Sequence, residues 1–533
     1  MTLHHLKEDI NSIRFVANEI WKEVNQKKRL FEDPLRNIYG SSLPIFIKDA
    51  TELRENILNA EEYAVSLCEK LSPELIPTLI QMYQSFYNGS WNREPAWLGT
   101  VIKRIIANVY KNQFGNTEQL SRSRLDLIQA IYAMSLYETL SYLELVNPLT
   151  NVKVNLTREW AYPYSDETEF YLKEIAYMYS DRGGSHRTLK QSIDMWAKKP
   201  KDLLKSINNI LDGELPSDQL LFRNNFFRLL PPKKNFWLKF QSLVQLAVAV
   251  SYQLNSENLP EDSVVYLQGY RELNKFMGLN ITSDIYWKKK WYYETMKSIS
   301  TLEVPNIIVY RPILSFSNDS NLYVTSLSVV ADAINYFIES SIFKNYSGHA
   351  TPYSDFYQAI VATPFENNVL KSFKEQGFIT GSVPKPKMED TNTCIWEVQD
   401  NGGIKEVEVR HSDKEIFPGE IDVLAYHPIE KLFVIAESKT FYIPHSEKEI
   451  GNLVKKFTSY SNNSYQKKLD KKINWLKNSK FITDDVAIPR NPLEETDIKF
   501  KALFIVDRKI INMNKIAKIP IVDVKSLKKN VNF

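Results

Sequence analysis

The sequence predicts an α+β chain of several domains. A large, mainly α-helical N-terminal region is followed by a C-terminal α/β domain built on an open, mixed sheet. Three observations predict this. At 533 residues the chain is too long for one hydrophobic core. Apolar residues recur at helical spacing as far as about Phe343. Beyond Thr363 a helix start gives way to short β-rich pieces separated by turn residues.

Composition narrows the class. With 43% apolar and 25% charged residues, the chain reads as globular rather than disordered. The net charge of +3 means that any surface for a polyanion must be a local patch. Cys68 and Cys394 stand far apart without companions, so no disulfide framework is implied, which fits a reducing compartment. There is no CxxC and no HExxH, which argues against zinc. The opening MTLHHLKEDINSIRF lacks the apolar core of a signal peptide. The longest apolar stretch, residues 243–252, falls short of the ~20 residues of a membrane span. The expectation is a cytoplasmic protein with no membrane partner.

Residues 1–345 form the helical region. Ile10, Ile13, Val16, Ile20 and Trp21 share one helical stripe, and Leu75, Ile76, Leu79, Ile80 and Tyr83 share another. A third runs through Leu125, Leu127, Ile128, Ile131 and Tyr132. Short extended pieces are expected at 152–156 and 307–310. Residues 284–296 interleave three lysines with aromatics, a pattern that suits single-stranded nucleic acid but also a helix with its rings packed inward. We favour inward packing. The stretch 180–187 (SDRGGSHR) lacks the GK[ST] ending of a phosphate loop and reads as a polar turn. Polar, Gly/Pro-containing residues 346–362 form the linker to the domain at 363–533.

That domain opens with Thr363-Pro364-Phe365-Glu366, read as Thr at N-cap, Pro at N1 and Glu at N3. Phe365, Val369, Leu370 and Phe373 form its buried stripe, and Gly377 ends the helix. Strand-like pieces follow at 378–383, 394–398 and 406–410. Next comes PGEIDVLAYHPIEKLFVIAESKTF, residues 418–441, read as two strands broken at His427-Pro428. Residues 446–480 then read as one lysine-rich helical stretch. A buried strand at 500–506 and a closing strand at 519–525 complete the domain.

The hairpin carries the chemistry. A four-residue loop over Pro428–Lys431 makes His427 face Leu432, which sets Asp422 opposite Glu437 and Glu420 opposite Lys439. Opposed residues share a sheet face with Cβ atoms roughly 5 Å apart, and a slip of one residue would separate them. Carboxylates so close repel unless a cation sits among them. Hard oxygen ligands on a rigid strand pair suit Mg²⁺ or Mn²⁺, and a neighbouring lysine can position or deprotonate an attacking water. A chance D-x(14)-E-x-K with solvated side chains is the rival reading.

An acid on one strand followed by E-S-K on the next resembles the PD-(D/E)xK nuclease superfamily, and E-I-D-V…I-A-E-S-K looks most like its restriction endonuclease-like, Mrr-type branch. The proline of the signature is absent, since Ile421 precedes Asp422. The resemblance extends to the opening helix, whose F-E-x-x-V-x-x-x-F-x-x-x-G-F matches at Glu366, although Glu366 also suits a capping box with Thr363. It covers about a third of the chain and implies an αβββαβ core. It also implies a Mg²⁺- or Mn²⁺-dependent nuclease, with DNA the favoured substrate. In that reading Asp422, Glu437 and the Ser438 backbone carbonyl hold the ion, and Lys439 orients water. Glu366 and Glu420 act around them. Lys455, Lys456, Lys467, Lys468, Lys471 and Lys472 offer a footprint for the polyanion, where the plainer reading is a solvated helix face. A nuclease beside an unfamiliar helical region without a nucleotide motor suggests restriction or anti-phage defence. A homo-oligomer, and a protein partner held through the helical region, are then expected. The alternative is a nuclease fold that binds nucleic acid or protein without cutting.

Overall fold

The computed structural model describes residues 3–40, 44–89, 97–114, 120–163, 165–180, 234–260, 263–268, 289–298, 307–315, 322–343, 362–385, 391–400, 403–440, 447–459, 461, 464–492, 494–495, 497–506, 517–523 and 527. The chain divides into two compact units: Met1–Ala350 with His445–Glu447, and Thr351–Pro444 with Lys448–Phe533. Of the expected linker at 346–362, only Ala362 is described.

The first unit is helical, as the apolar stripes require. Its longer helices are Leu3–Gln26, Ala50–Cys68, Ile76–Gly89, Trp97–Tyr110, Arg124–Glu144, Lys234–Ser256 and Leu327–Phe343. Asp49 caps one of them, accepting from the amides of Thr51 at 2.8 Å and Glu52 at 3.0 Å. The core holds paired charges rather than bare ones. Buried Arg104 is paired with Glu138, and Asp332 accepts from the Tyr83 hydroxyl at 2.6 Å and from Lys103 at 3.0 Å. Two small antiparallel sheets complete the unit, one joining Ile45–Ile47, Val154–Leu156 and Ala161–Pro163, the other centred on Leu322–Thr325.

Residues Ile307–Tyr310 form a short helix rather than a strand. A four-residue apolar run carries no periodicity of its own, and packing decided the outcome. In the lysine–aromatic segment, Lys289–Ser298 is helical and Tyr292 is buried, its hydroxyl donating to the Ala107 carbonyl at 2.6 Å. That residue packs inward, while 284–288 and 181–187 lie outside the described residues.

The second unit begins with helix α1 (Thr363–Lys374), then β1 (Ile379–Val383), β2 (Thr393–Asp400), β3 (Gly403–His411), β4 (Ile421–His427) and β5 (Leu432–Lys439). Helices α2 (Glu447–Thr458) and α3 (Tyr465–Lys477) lead to β6 (Ser479–Ile482), β7 (Lys499–Val506) and β8 (Ile521–Asp523). The strands form one mixed eight-stranded sheet in the order β6-β3-β2-β1-β4-β5-β7-β8. Strand β5 pairs antiparallel with β4 and parallel with β7. Lying between two neighbours and covered on both faces, it is buried from Leu432 to Ser438. The α+β class is therefore observed.

Helix α1 lays Phe365, Val369, Leu370 and Phe373 on Val423 and Ala425 of β4 and on Leu432, Val434 and Ala436 of β5. Gly377, at φ +86°, turns the chain out of the helix, and Phe378 packs back on Phe373 with ring centroids 5.2 Å apart. Alternation sends Phe433 of β5 to the opposite face, where it stacks on Phe481 and Phe500. At the β1–β2 contact only glycine fits. A Cβ on Gly381 would collide with the Glu397 carbonyl and lie 2.9 Å from Val398 Cα.

Two details differ from expectation. The start of α1 has Ala362 at N-cap with no side-chain cap, so Thr363 is the first helical residue and no capping box forms with Glu366. The lysine-rich stretch 446–480 is two helices and a strand. Ser464, whose hydroxyl accepts from the Lys467 amide at 3.3 Å, restarts the helix, and Lys480 belongs to β6. Among the described residues, no helix is long and apolar enough to cross a membrane.

Candidate active site

The site is assembled by the β4–β5 hairpin. His427 pairs with Leu432 and Val423 with Ala436, so the register is the one the four-residue loop dictates. The loop is held by the Glu430 amide donating to His427 Nδ1 at 3.1 Å, with Lys431 at φ +47°. One step beyond Val423 and Ala436 stand Asp422 and Glu437. On the other edge of β4, the pairing with β1 shifts by one residue between Ile421 and Leu424. Asp422 thus sits within the stretch where the pairing of β4 with β1 slips, and such breaks in a ladder re-aim side chains.

The three motif residues meet. Lys439 Nζ lies 2.8 Å from Glu437 Oε2 and 3.2 Å from Asp422 Oδ2. The Ser438 amide donates to the same Asp422 oxygen at 2.8 Å. A fourth group is present that the sequence did not place there: Lys472 of α3, whose ammonium pairs with Glu437 Oε1. Each oxygen of Glu437 therefore faces its own lysine. Tyr465, at the start of α3, presents its ring to Lys439 at 5.7 Å and to Lys456 at 5.8 Å.

The electrostatics divide the carboxylates. Burial pushes Glu437 up, but Lys439 and Lys472 outweigh it and hold the group below the usual range. Burial and the charge of Glu437 push Asp422 above its usual range in spite of Lys439. Burial would lower Lys439, yet Glu437 and Asp422 raise it and keep it protonated. Glu366, from the first turn of α1, is half-buried and makes no hydrogen bond among the described residues. It is pushed up by burial and by Asp422, with Glu420 and Glu437 adding to the effect and Lys439 opposing it. Four groups at this site therefore act on its charge.

The remaining expected residues are placed less uniformly. Glu420 precedes β4 and is exposed, and it makes no ion pair with Lys439 among the described residues. Lys455, Lys456, Lys468 and Lys471 are exposed and Lys467 is half-buried. Lys472 departs from both readings of these lysines, phosphate footprint and solvated face, since it is only 7% exposed and its charge is spent on Glu437. Its signal lay in the spacing. Gln466, Leu469, Lys472, Trp475 and Leu476 share the buried side of α3, whereas Lys468, Lys471 and Lys477 fall off that stripe. Gln466 is buried on the same stripe and, with its amide oxygen and nitrogen exchanged, would donate to the Phe457 carbonyl and accept from the Lys518 amide.

The donor set fits a hard divalent cation. Every candidate ligand is oxygen, and one ammonium already bridges Asp422 and Glu437 as a small cation would. Asp422 Oδ1 and the Glu366 carboxylate accept no hydrogen bond among the described residues, and the Ser438 hydroxyl is buried without a partner. Against this, no group of three or more acids, histidines or cysteines stands in ligating geometry among the described residues. Comparison with protein-family models, curated proteins and solved structures found no match to the chain.

Proposed function

We propose that the second unit is a metal-dependent nuclease of the PD-(D/E)xK type, hydrolysing phosphodiester bonds of nucleic acid with DNA favoured. The observation that carries the reading is the meeting of Asp422, Glu437 and Lys439 through the β4–β5 register. Mg²⁺ or Mn²⁺, held by Asp422, Glu437 and the Ser438 backbone carbonyl, would supply charge to offset the phosphate and the leaving oxygen. The chain's own residues do the rest. Lys439, bonded to both acids, orients the attacking water and counters the charge that gathers on the phosphoryl oxygens. Water oxygen bonds to phosphorus, the phosphorus–oxygen ester bond breaks, and the departing oxygen takes a proton. Glu366, unpartnered at the edge of the cluster, is the free acceptor for the water's proton or its hydrogen bond. Exposed Lys455, Lys456, Lys468 and Lys471 present charge to the phosphate backbone.

In this reading the helical unit controls or assembles the cutter, as in restriction or anti-phage defence. Cutting both strands of a duplex calls for two sites, which a homo-oligomer would supply. One observation favours a second reading, a nuclease fold that binds without cutting: both oxygens of Glu437 are held by lysines. A panel of linear, circular and single-stranded DNA and of RNA, with Mg²⁺, Mn²⁺ or chelator, separates the two. Products that require the metal support the nuclease, and retention of nucleic acid without products under every condition supports the binder.

A further inference from the structure

We propose that Lys472 is a positioning residue of the site. It neutralises Glu437 from the helix side and thereby leaves Lys439 available to the reacting phosphate. The proposal rests on the metal-dependent nuclease reading and deepens it.

The site contains two lysines with different surroundings. Lys472 reaches Glu437 from α3, with a side chain only 9% exposed, and its stem lies on the buried stripe with Leu469, Trp475 and Leu476. Lys439 is the more open of the two, at 22%, and divides its ammonium between Glu437 and Asp422. A lysine fixed on a packed helix holds one oxygen of Glu437 in place. A lysine at the open end of a strand is able to leave its partners for another anion.

Charge makes this division necessary. Asp422 and Glu437 meet at Lys439, Glu366 adds its charge from α1, and among the described residues Lys439 and Lys472 are the ammoniums paired with the first two. Without Lys472, Glu437 would stay buried with Lys439 as its sole cation. Breaking a buried ion pair leaves an uncompensated charge, and the remaining cation is drawn to it. Lys439 would then be tied to the carboxylates when the phosphate arrives. Removing one positive charge does not repel a divalent ion, so ion binding is not expected to suffer.

The test uses full-length Lys472→Met, with Lys472→Gln as a second variant that keeps a hydrogen bond to Glu437 without the charge. Turnover and KM on a DNA substrate at saturating Mg²⁺ are measured together with the Mn²⁺ dissociation constant by calorimetry. Both variants should lose about 10- to 100-fold in kcat, the usual cost of removing a partner that orients a ligand. KM should stay within about threefold of wild type, and Mn²⁺ should bind as tightly or more tightly. A kcat within about threefold of wild type overturns the proposal. So does a loss of Mn²⁺ affinity equal to the loss of kcat, which would mean that Lys472 only holds the fold together. A wild-type protein that neither binds Mn²⁺ nor cuts overturns the nuclease reading itself, and this proposal with it.

Discussion

Glu366 and Lys472 carry opposite lessons about charge at one site. Glu366 is half-buried without a partner, and burial together with Asp422 raises its pKa. An acid whose folded pKa is raised favours folding below its ordinary pKa and loses that contribution as pH rises through the folded value. At neutral pH its charge is therefore a cost to the ion-free protein. Glu366→Gln should leave the melting temperature at pH 7 in chelator unchanged or higher, while cleavage falls about 10- to 100-fold. A lower melting temperature with full cleavage would remove Glu366 from the site. The sequence disclosed Asp422, Glu437 and Lys439 because strand alternation and loop length fix a register without further information. It disclosed Lys472 poorly because a lysine inside a lysine-rich run looks solvated. Only its three-residue spacing from Leu469 and Trp475 marks it as buried.

At the scale of elements, helix α1 and the hairpin were legible because each carries its own punctuation: Pro364 and Gly377 for the helix, His427-Pro428 for the turn. The division of 446–480 was less legible, since Ser464 is one polar residue among many until its hydroxyl is seen to accept from Lys467. The eight-residue strands β2 and β7 emerged from shorter apolar runs, because pairing with neighbours extends a strand past its apolar residues. Gly381 shows how the sheet constrains sequence. The backbone of β2 approaches so closely that Gly381→Ala must push the strands apart. The expected loss is on the order of 2 kcal/mol or more, read from urea unfolding of the transition that reports the second unit. A loss below about 0.5 kcal/mol would mean that the β1–β2 contact is looser than described.

For the whole molecule, the two compact units give a way to locate ion binding. A ligand that binds the folded state stabilises it by RT ln(1 + [L]/Kd), about 2.7 kcal/mol at a hundred times Kd. Because Asp422, Glu437 and Lys439 all belong to the second unit, Mg²⁺ or Mn²⁺ should raise the melting of that unit and leave the helical unit where it was. Hydrogen exchange with and without Mn²⁺ distinguishes the units peptide by peptide. Protection gained in residues 421–439 is the expected result, and protection gained only in the helical unit would place the ion elsewhere.

The most direct test of the account is Mg²⁺-dependent cleavage by full-length Lys439→Ala beside wild type, with DNA affinity and melting temperature measured on the same preparations. Among the described residues Lys439 is the one group bonded to both acids, so its loss should reduce cleavage by about 10²–10³-fold or more while DNA affinity stays near wild type. The melting temperature falls, because a buried ion pair is broken, but the protein remains folded. Cleavage by the variant at the wild-type rate would contradict the account.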